Sequence, residues 1–303
     1  MKRLAAALVV IAIAAAGLFW LLTMPAHLDA AITANADAGD AIRGERIFNA
    51  GGCASCHAAK GAKGDERLEL GGGLPLATPF GTFHAPNISP DEKTGIGSWS
   101  GAAFMNAMLK GVSPQGSHYY PAFPYTSYAR MKPEDVADLW AYLKTLPAVE
   151  RANIAHELPL PFRLRRGLGL WKALFLSDQP VVAIDESNAQ LVLGRYLVEG
   201  PGHCGECHTP RNLIGGPVKS GWLGGGPAPE GDGRIPNITS GKGGIASWSD
   251  KDVAYYLESG FTPDFDAVGG SMVEVQENMA RLTAQDREAI GAYVKALPFA
   301  DAK

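Results

Sequence analysis

Cys53-Ala54-Ser55-Cys56-His57 returns later in this 303-residue chain as Cys204-Gly205-Glu206-Cys207-His208. Cys-x-x-Cys-His is the attachment signature of c-type haem. Two thiols separated by two residues reach the two vinyl groups of one porphyrin, and the next residue presents an imidazole to the iron. Each copy is expected to hold one covalent haem, through Cys53, Cys56 and His57 and through Cys204, Cys207 and His208. The competing readings are a redox dithiol and half of a zinc site. A zinc site needs two further Cys or His ligands at workable spacing, yet all four cysteines of the chain already lie inside the two pentapeptides. Neither pentapeptide sits in a strand-helix unit of the thioredoxin type.

Composition agrees with this reading. A net charge of only -4 and the lack of a basic, aromatic-interleaved stripe argue against nucleic acid as a partner. With 37 Gly and 21 Pro, the chain suits short helices joined by long loops. Such loops are tolerated where a macrocycle supplies core that a small polypeptide lacks.

Leu4 to Leu22 is an unbroken run of 19 apolar or glycine residues, preceded by Lys2 and Arg3. As a helix it would span about 28 Å, close to the hydrocarbon thickness of a bilayer. The positive-inside rule then leaves the amino terminus in the cytoplasm and exports the remainder. A cleaved signal peptide and a retained anchor compete. The run exceeds a typical signal core, and the small-residue pattern Ala34-Asn35-Ala36 lies well beyond its end, so the anchor is preferred. Either way the cysteines reach the bacterial periplasm, where haem is attached to c-type apoproteins. The expected address is the inner membrane, with the haem domains on the periplasmic side.

The body is an internal repeat. Leu70-Gly71-Gly72-Gly73 answers to Leu223-Gly224-Gly225-Gly226, Pro86-Asn87-Ile88 to Pro236-Asn237-Ile238, and Ile96-Gly97-Ser98-Trp99-Ser100 to Ile245-Ala246-Ser247-Trp248-Ser249. Each copy ends in a helical pattern and a Leu-Pro stop, at Pro147 and Pro298. Val136, Leu139, Trp140 and Leu143 follow Pro133 at helical spacing, and Ile290, Tyr293, Val294 and Leu297 follow the capping pair Thr283 and Asp286. Ser249 with Asp252 opens another helix, and Gly111 and Gly260 suit C-terminal stops. The expected layout is an anchor at 1–23, a flexible tether at 24–40, a first unit at 41–150, a linker at 151–187 and a second unit at 188–303. The linker holds Arg163, Arg165, Arg166 and Lys172 among Leu, Trp and Phe. It either lies on the membrane surface or packs across the two units. Packing is preferred, because Gly167 and Gly169 break the run.

The far side of each iron needs a second ligand, and a thioether raises the potential relative to an imidazole. Met131 is chosen in the first unit, beside the stiff Tyr-Pro-rich loop 119–125, over Met105 and Met108, which suit core packing. Aligning the last helices puts Leu282 at the Met131 position, so the second unit must use Met272, which follows Gly269-Gly270-Ser271, or Met279. Met272 is preferred. His84, His118 and His203 are the alternative imidazoles. Trp99 and Trp248 either pack between helices or line a haem edge.

These stretches resemble a known family, the membrane-bound multihaem cytochrome c subunits of periplasmic dehydrogenases such as alcohol and gluconate dehydrogenase. The resemblance is carried by GGCASCH, by FGTFHAPNISPDEKTGIGSWS, by AFPYTSYARMKPEDVADLWAYLKTLP, by GHCGECHTPRNLIGG and by GGSMVEV. It implies an all-α fold of two tandem class I cytochrome c-like domains behind a transmembrane helix, two covalently bound haem c groups, and Met131 and Met272 as axial ligands. It also implies an electron carrier rather than an enzyme. A periplasmic dehydrogenase would be the donor, and a soluble cytochrome or terminal oxidase the acceptor. The best-known members carry three haems, whereas this chain has two motifs. The rival from another class is a dihaem cytochrome c peroxidase, which needs one iron with an open distal position.

Overall fold

The computed structural model describes residues 1–228 and 233–297. Helix α1 (Lys2–Leu22) has no residue buried and a mean hydropathy of 2.6 over its apolar window. It is the one helix among the described residues long and apolar enough to cross a membrane. After the short α2 (Ala30–Thr33) come α3 (Ala41–Ala50), α4 (Cys53–His57), strands β1 (Pro75–Thr78) and β2 (Gly81–His84), α5 (Gly101–Lys110), α6 (Tyr125–Tyr128) and α7 (Pro133–Leu143). The linker carries α8 (Leu168–Phe175). The same series then repeats as α9 (Ala189–Glu199), α10 (Cys204–His208), β3 (Gly226–Pro227), β4 (Arg234–Ile235), α11 (Asp250–Ser259), α12 (Met272–Met279) and α13 (Ala284–Ala296).

The body is largely helical, as expected, with one short antiparallel pair of strands in each unit. β1 pairs antiparallel with β2 and β3 with β4. The first pair closes through Pro79-Phe80, with Gly81 at φ +120°, a turn that directs Pro-rich chain into a hairpin rather than a helix.

The helix ends follow their side chains. Ser249 with Asp252 and Thr283 with Asp286 form complete capping boxes for α11 and α13. Asp40 accepts from the backbone N–H groups of Ile42 and Arg43 to start α3. Gly111 and Gly260 end α5 and α11 in the left-handed region, at φ 59° and 79°. Pro133 occupies the first turn of α7, which buries Val136, Leu139, Trp140 and Leu143. Pro298 lies outside the described residues.

Each unit is held by its first helix crossing its last. α3 meets α7 at Gly44, where a Cβ would stand 2.0 Å from the Asp138 carbonyl oxygen; α9 meets α13 at Gly194, where it would stand 1.9 Å from that of Ala289. No side chain fits at either crossing, so the backbones touch. Replacing Gly194 with alanine is expected to force the helices apart and cost about 1–3 kcal/mol, read as a fall in the thermal unfolding midpoint. The first core gathers Ile47, Phe48, Leu70, Met105, Leu139 and Trp140, and the second gathers Leu197, Val198, Leu223, Leu257, Tyr293 and Val294 together with Ala50 of the first unit.

Residues 24–40, expected to be a flexible tether, are instead strapped to the first unit. The Leu28 N–H donates to Asn106 Oδ1 at 2.8 Å. The Asp37 carboxylate accepts from Trp140 Nε1 at 2.9 Å and faces the Gly101 N–H, and Ala36 is buried. A Cβ on Gly39 would collide with the Ala137 carbonyl. These partners lie far away in sequence, so composition alone did not reveal them.

The linker packs across both units. Glu157 pairs with Thr82, and Leu158 joins Phe83 and Tyr120 in a small cluster. Lys172 Nζ donates to the carbonyls of Lys110 and Gly111 at the end of α5, while Trp171 Nε1 donates to the Ile214 carbonyl of the second unit.

Candidate functional site

The two Cys-x-x-Cys-His segments form single helical turns, α4 and α10, entered through left-handed residues, Gly52 at φ 56° and His203 at φ 39°. On one helical turn, cysteines three apart share a face. Burial pushes the Cys53 and Cys204 thiols up to about 12. Neither is therefore the low-pKa thiolate that a redox dithiol employs. Among the described residues no group of three His, Cys, Asp or Glu side chains is gathered so as to hold a metal ion.

The histidines are fixed in one orientation. His57 Nδ1 lies 2.7 Å from the Pro86 carbonyl oxygen and His208 Nδ1 lies 2.9 Å from that of Pro236. A carbonyl only accepts, so Nδ1 carries the proton and Nε2 keeps its lone pair. That is the tautomer an iron ligand needs. Burial lowers both imidazole pKa values, only partly opposed by the carbonyl contacts, and so favours the neutral ring. The paired thiols and pre-oriented imidazoles fit a covalently attached haem at each turn.

The repeat landmarks supply this support. The Gly72 N–H donates to the His57 carbonyl and the Gly225 N–H to that of His208, both at 2.7 Å. Both glycines have positive φ, and a Cβ there would strike the Pro86 backbone in one unit and the Ile235–Asn237 backbone in the other. The Leu-Gly-Gly-Gly and Pro-Asn-Ile motifs thus lock each histidine from behind. The sequence displayed both motifs; only the fold shows what they touch.

The three alternative histidines are engaged elsewhere. His84 Nε2 faces Glu157, His118 Nε2 the Thr23 carbonyl and His203 Nε2 the Gly51 carbonyl. Met131, Met105 and Met108 are all buried in the first core. Met131 Cγ reaches to 3.7 Å from where a Cβ on Gly200 would stand, so this side chain borders the second unit. Met272 opens α12 and packs partly buried against the second core, where Met279 is fully buried. Trp99 packs on the first core, and Trp248 lies against Tyr256 with ring centroids 5.5 Å apart.

Sequence reasoning missed the seam between the units, which has approximate twofold symmetry. Asn278 Nδ2 of α12 donates to Ser55 Oγ at 2.8 Å, and Ser127 Oγ of α6 donates to Glu206 Oε1 at 2.8 Å. Ser55 and Glu206 occupy the same place in the two pentapeptides, and Ser127 and Asn278 occupy matching places ahead of the last helices. Likewise Arg46 grips Asp286 with two bonds of 2.9 and 2.5 Å, while its counterpart Tyr196 donates to Asp135. Burial pushes the Glu206 carboxyl up, but Arg211 and the hydroxyls of Thr126 and Ser127 more than offset it, so it stays ionised. Each attachment turn is therefore held by the opposite unit, with the two turns in direct contact through His203 and Gly51.

The cytochrome c family model matches residues 41–147, from α3 to just beyond α7. A diheme cytochrome c-type protein of Cereibacter sphaeroides is 53% identical over 297 residues, covering 98% of both chains. The chain belongs to the cytochrome c family. This cytochrome is also similar to the fructose dehydrogenase cytochrome subunit of Gluconobacter japonicus, at 37% identity over 84% of the chain and 52% of that protein. The gluconate 2-dehydrogenase cytochrome c subunit of Pantoea cypripedii is 36% identical over 91% of the chain and 64% of its own length. This cytochrome thus spans about half to two thirds of those dehydrogenase subunits.

Proposed function

We propose that the chain is a membrane-anchored dihaem electron carrier of the periplasm, built as two tandem cytochrome c domains at 41–150 and 188–303 behind the α1 anchor. It would take electrons from a dehydrogenase and deliver them to a soluble cytochrome or terminal oxidase. The observation that carries this reading is the duplicated attachment turn, each with its histidine Nδ1 tied to a proline carbonyl and Nε2 left for iron. Covalent haem, held by Cys53, Cys56 and His57 and by Cys204, Cys207 and His208, would supply one-electron chemistry that needs no substrate bond to be made or broken. The polypeptide fixes the imidazoles, excludes water with its two cores and clamps the attachment turns together at the seam. The relatives named as dehydrogenase cytochrome subunits support the donor, and they lend no support to a peroxidase.

His57 and His208 would each hold a haem iron through Nε2, and Met131 and Met272 would supply the thioether ligands. The position of Met131, close to where a side chain on Gly200 of the second unit would stand, supports a second reading for the first unit, in which Met131 seals the seam and Met105 or Met108 supplies the sulfur. Replacing each methionine with leucine separates the two. The true ligand loses the near-infrared sulfur-to-iron band of one ferric haem and lowers that haem's potential, whereas a packing methionine leaves both unchanged.

The overall reading is tested on detergent-solubilised holoprotein. Two reversible one-electron steps, together with a flavin, quinoprotein or molybdenum subunit that reduces the haems on adding its substrate, are expected. Fast carbon monoxide binding at one reduced haem with peroxide turnover would return the reading to the peroxidase.

A further inference from the structure

Helix α1 does not leave the body freely. Its last turn is built into the linker: Thr23 is wholly buried, its carbonyl faces His118 Nε2 at 3.0 Å, and its hydroxyl accepts from Arg166 Nε at 2.9 Å. Arg166 also donates to the Trp20 carbonyl at 2.6 Å and lies over the Trp20 ring, 4.0 Å from its centroid. Gly169 packs so close that a Cβ would stand 2.6 Å from Thr23 Cα. At 1.5 Å per residue, Trp20 lies only about 4.5 Å below Thr23 along the helix axis. With α1 spanning a bilayer, Arg166 and Gly169 are therefore at headgroup level, where Trp side chains concentrate and long Arg side chains near helix ends reach the polar interface.

The segment around that clasp turns its apolar side outward. Leu160 is 72% exposed, Leu164 66% and Leu174 69%, and Leu170 is exposed beside them. On α8, Leu170 and Leu174 share the outer face by their four-residue spacing, whereas Trp171 and Lys172 are buried against the body. Exposed Arg163 and the neighbouring Arg165 add positive charge at the same level. Outward leucines, flanking arginines and a fixed attachment to the end of a bilayer-length helix make up an interfacial membrane face.

We propose that residues 160–174 lie in the outer leaflet of the bilayer that α1 crosses and contact anionic phospholipid. They would hold both haem units in one orientation above the membrane instead of letting them swing. This rests on α1 being a retained anchor. The bilayer is favoured over a protein partner because Arg166 and Gly169, which lie between these leucines in the chain, are fixed to the end of α1.

The test uses full-length holoprotein in vesicles of phosphatidylethanolamine and phosphatidylglycerol containing a phospholipid with a diazirine in its acyl chain. After irradiation, lipid adducts are expected on peptides from 160–176 as well as on those from 2–22. Adducts on 2–22 alone would overturn the membrane face while leaving the anchor intact. Adducts on neither would overturn the anchor and the face with it. A Leu164→Asp, Leu170→Asp variant is expected to keep its haem content and its α1 adducts while losing most of the label on 160–176; undiminished label there would also overturn the proposal.

Discussion

Replacing Cys53 and Cys56 together with serine is expected to halve the covalently bound haem, from about two to about one per chain. The remaining site survives because the His208 Nδ1–H donates to the Pro236 carbonyl and the His208 carbonyl accepts from the Gly225 N–H, both within its own unit. The mirror variant, Cys204→Ser with Cys207→Ser, gives the same count with the other haem retained. Pyridine haemochrome spectra normalised to protein, with haem-stained denaturing gels, read the result directly. A first-site variant with undiminished haem would show that the Cys-x-x-Cys-His turns are not the attachment points. The two single-haem forms also let each potential be titrated alone. The different surroundings of the turns, neutral Ser55 in one and ionised Glu206 in the other, lead us to expect different values. Glu206 sits inside the attachment turn, and a fixed negative charge there favours the oxidised iron. The second haem is therefore expected to be shifted toward the lower potential relative to a Glu206→Gln variant.

Breaking the seam at Asp286 is expected to give the largest stability loss of any polar substitution. Its side chain is almost fully buried, accepts twice from Arg46 across the units and completes the capping box of α13 with Thr283. Asp286→Asn keeps the shape but loses the charge, at a cost of about 2–3 kcal/mol at neutral pH. Burial pushes the Asp286 carboxyl up, yet the Arg46 bonds and the contacts with Thr283 outweigh it, so the folded pKa lies below the ordinary value. A carboxylate lowered in this way stabilises the fold above its unfolded pKa of about 3.9, and the contribution disappears as pH falls through the folded value. Thermal unfolding followed in the Soret region should show a wild-type advantage that is complete at pH 7 and shrinks below about pH 4. An advantage independent of pH would mean that packing, rather than charge, holds the seam. Arg46→Met should produce a smaller loss, since Arg46 is partly solvated.

Much of the site was legible because its signals are local. A Cys-x-x-Cys-His turn, a Pro at the start of α7, the Ser249 and Thr283 caps and the glycine stops each depend on residues within one helical turn, and such geometry is fixed by the neighbours in the chain. The repeat was legible for the same reason, as one local pattern written twice. The sequence showed that Pro86 and Pro236 recur after each histidine, but not that their carbonyls select the tautomer, because the partners lie 29 and 28 residues apart.

By itself the amino-acid order determined the number of Cys-x-x-Cys-His turns, the helical pattern of each unit and the apolar helix ahead of them. The tertiary structure decided how these parts meet. Residues 24–40 became a strap instead of a tether, the linker became a clasp for α1, and Met131 was drawn toward Gly200. It also placed the two attachment turns against one another through Ser55 and Asn278, Glu206 and Ser127, and Arg46 and Asp286. The physical reason is range. Caps and haem motifs close within a few residues, whereas seam contacts join side chains more than 60 positions apart, whose meeting depends on how two finished cores pack.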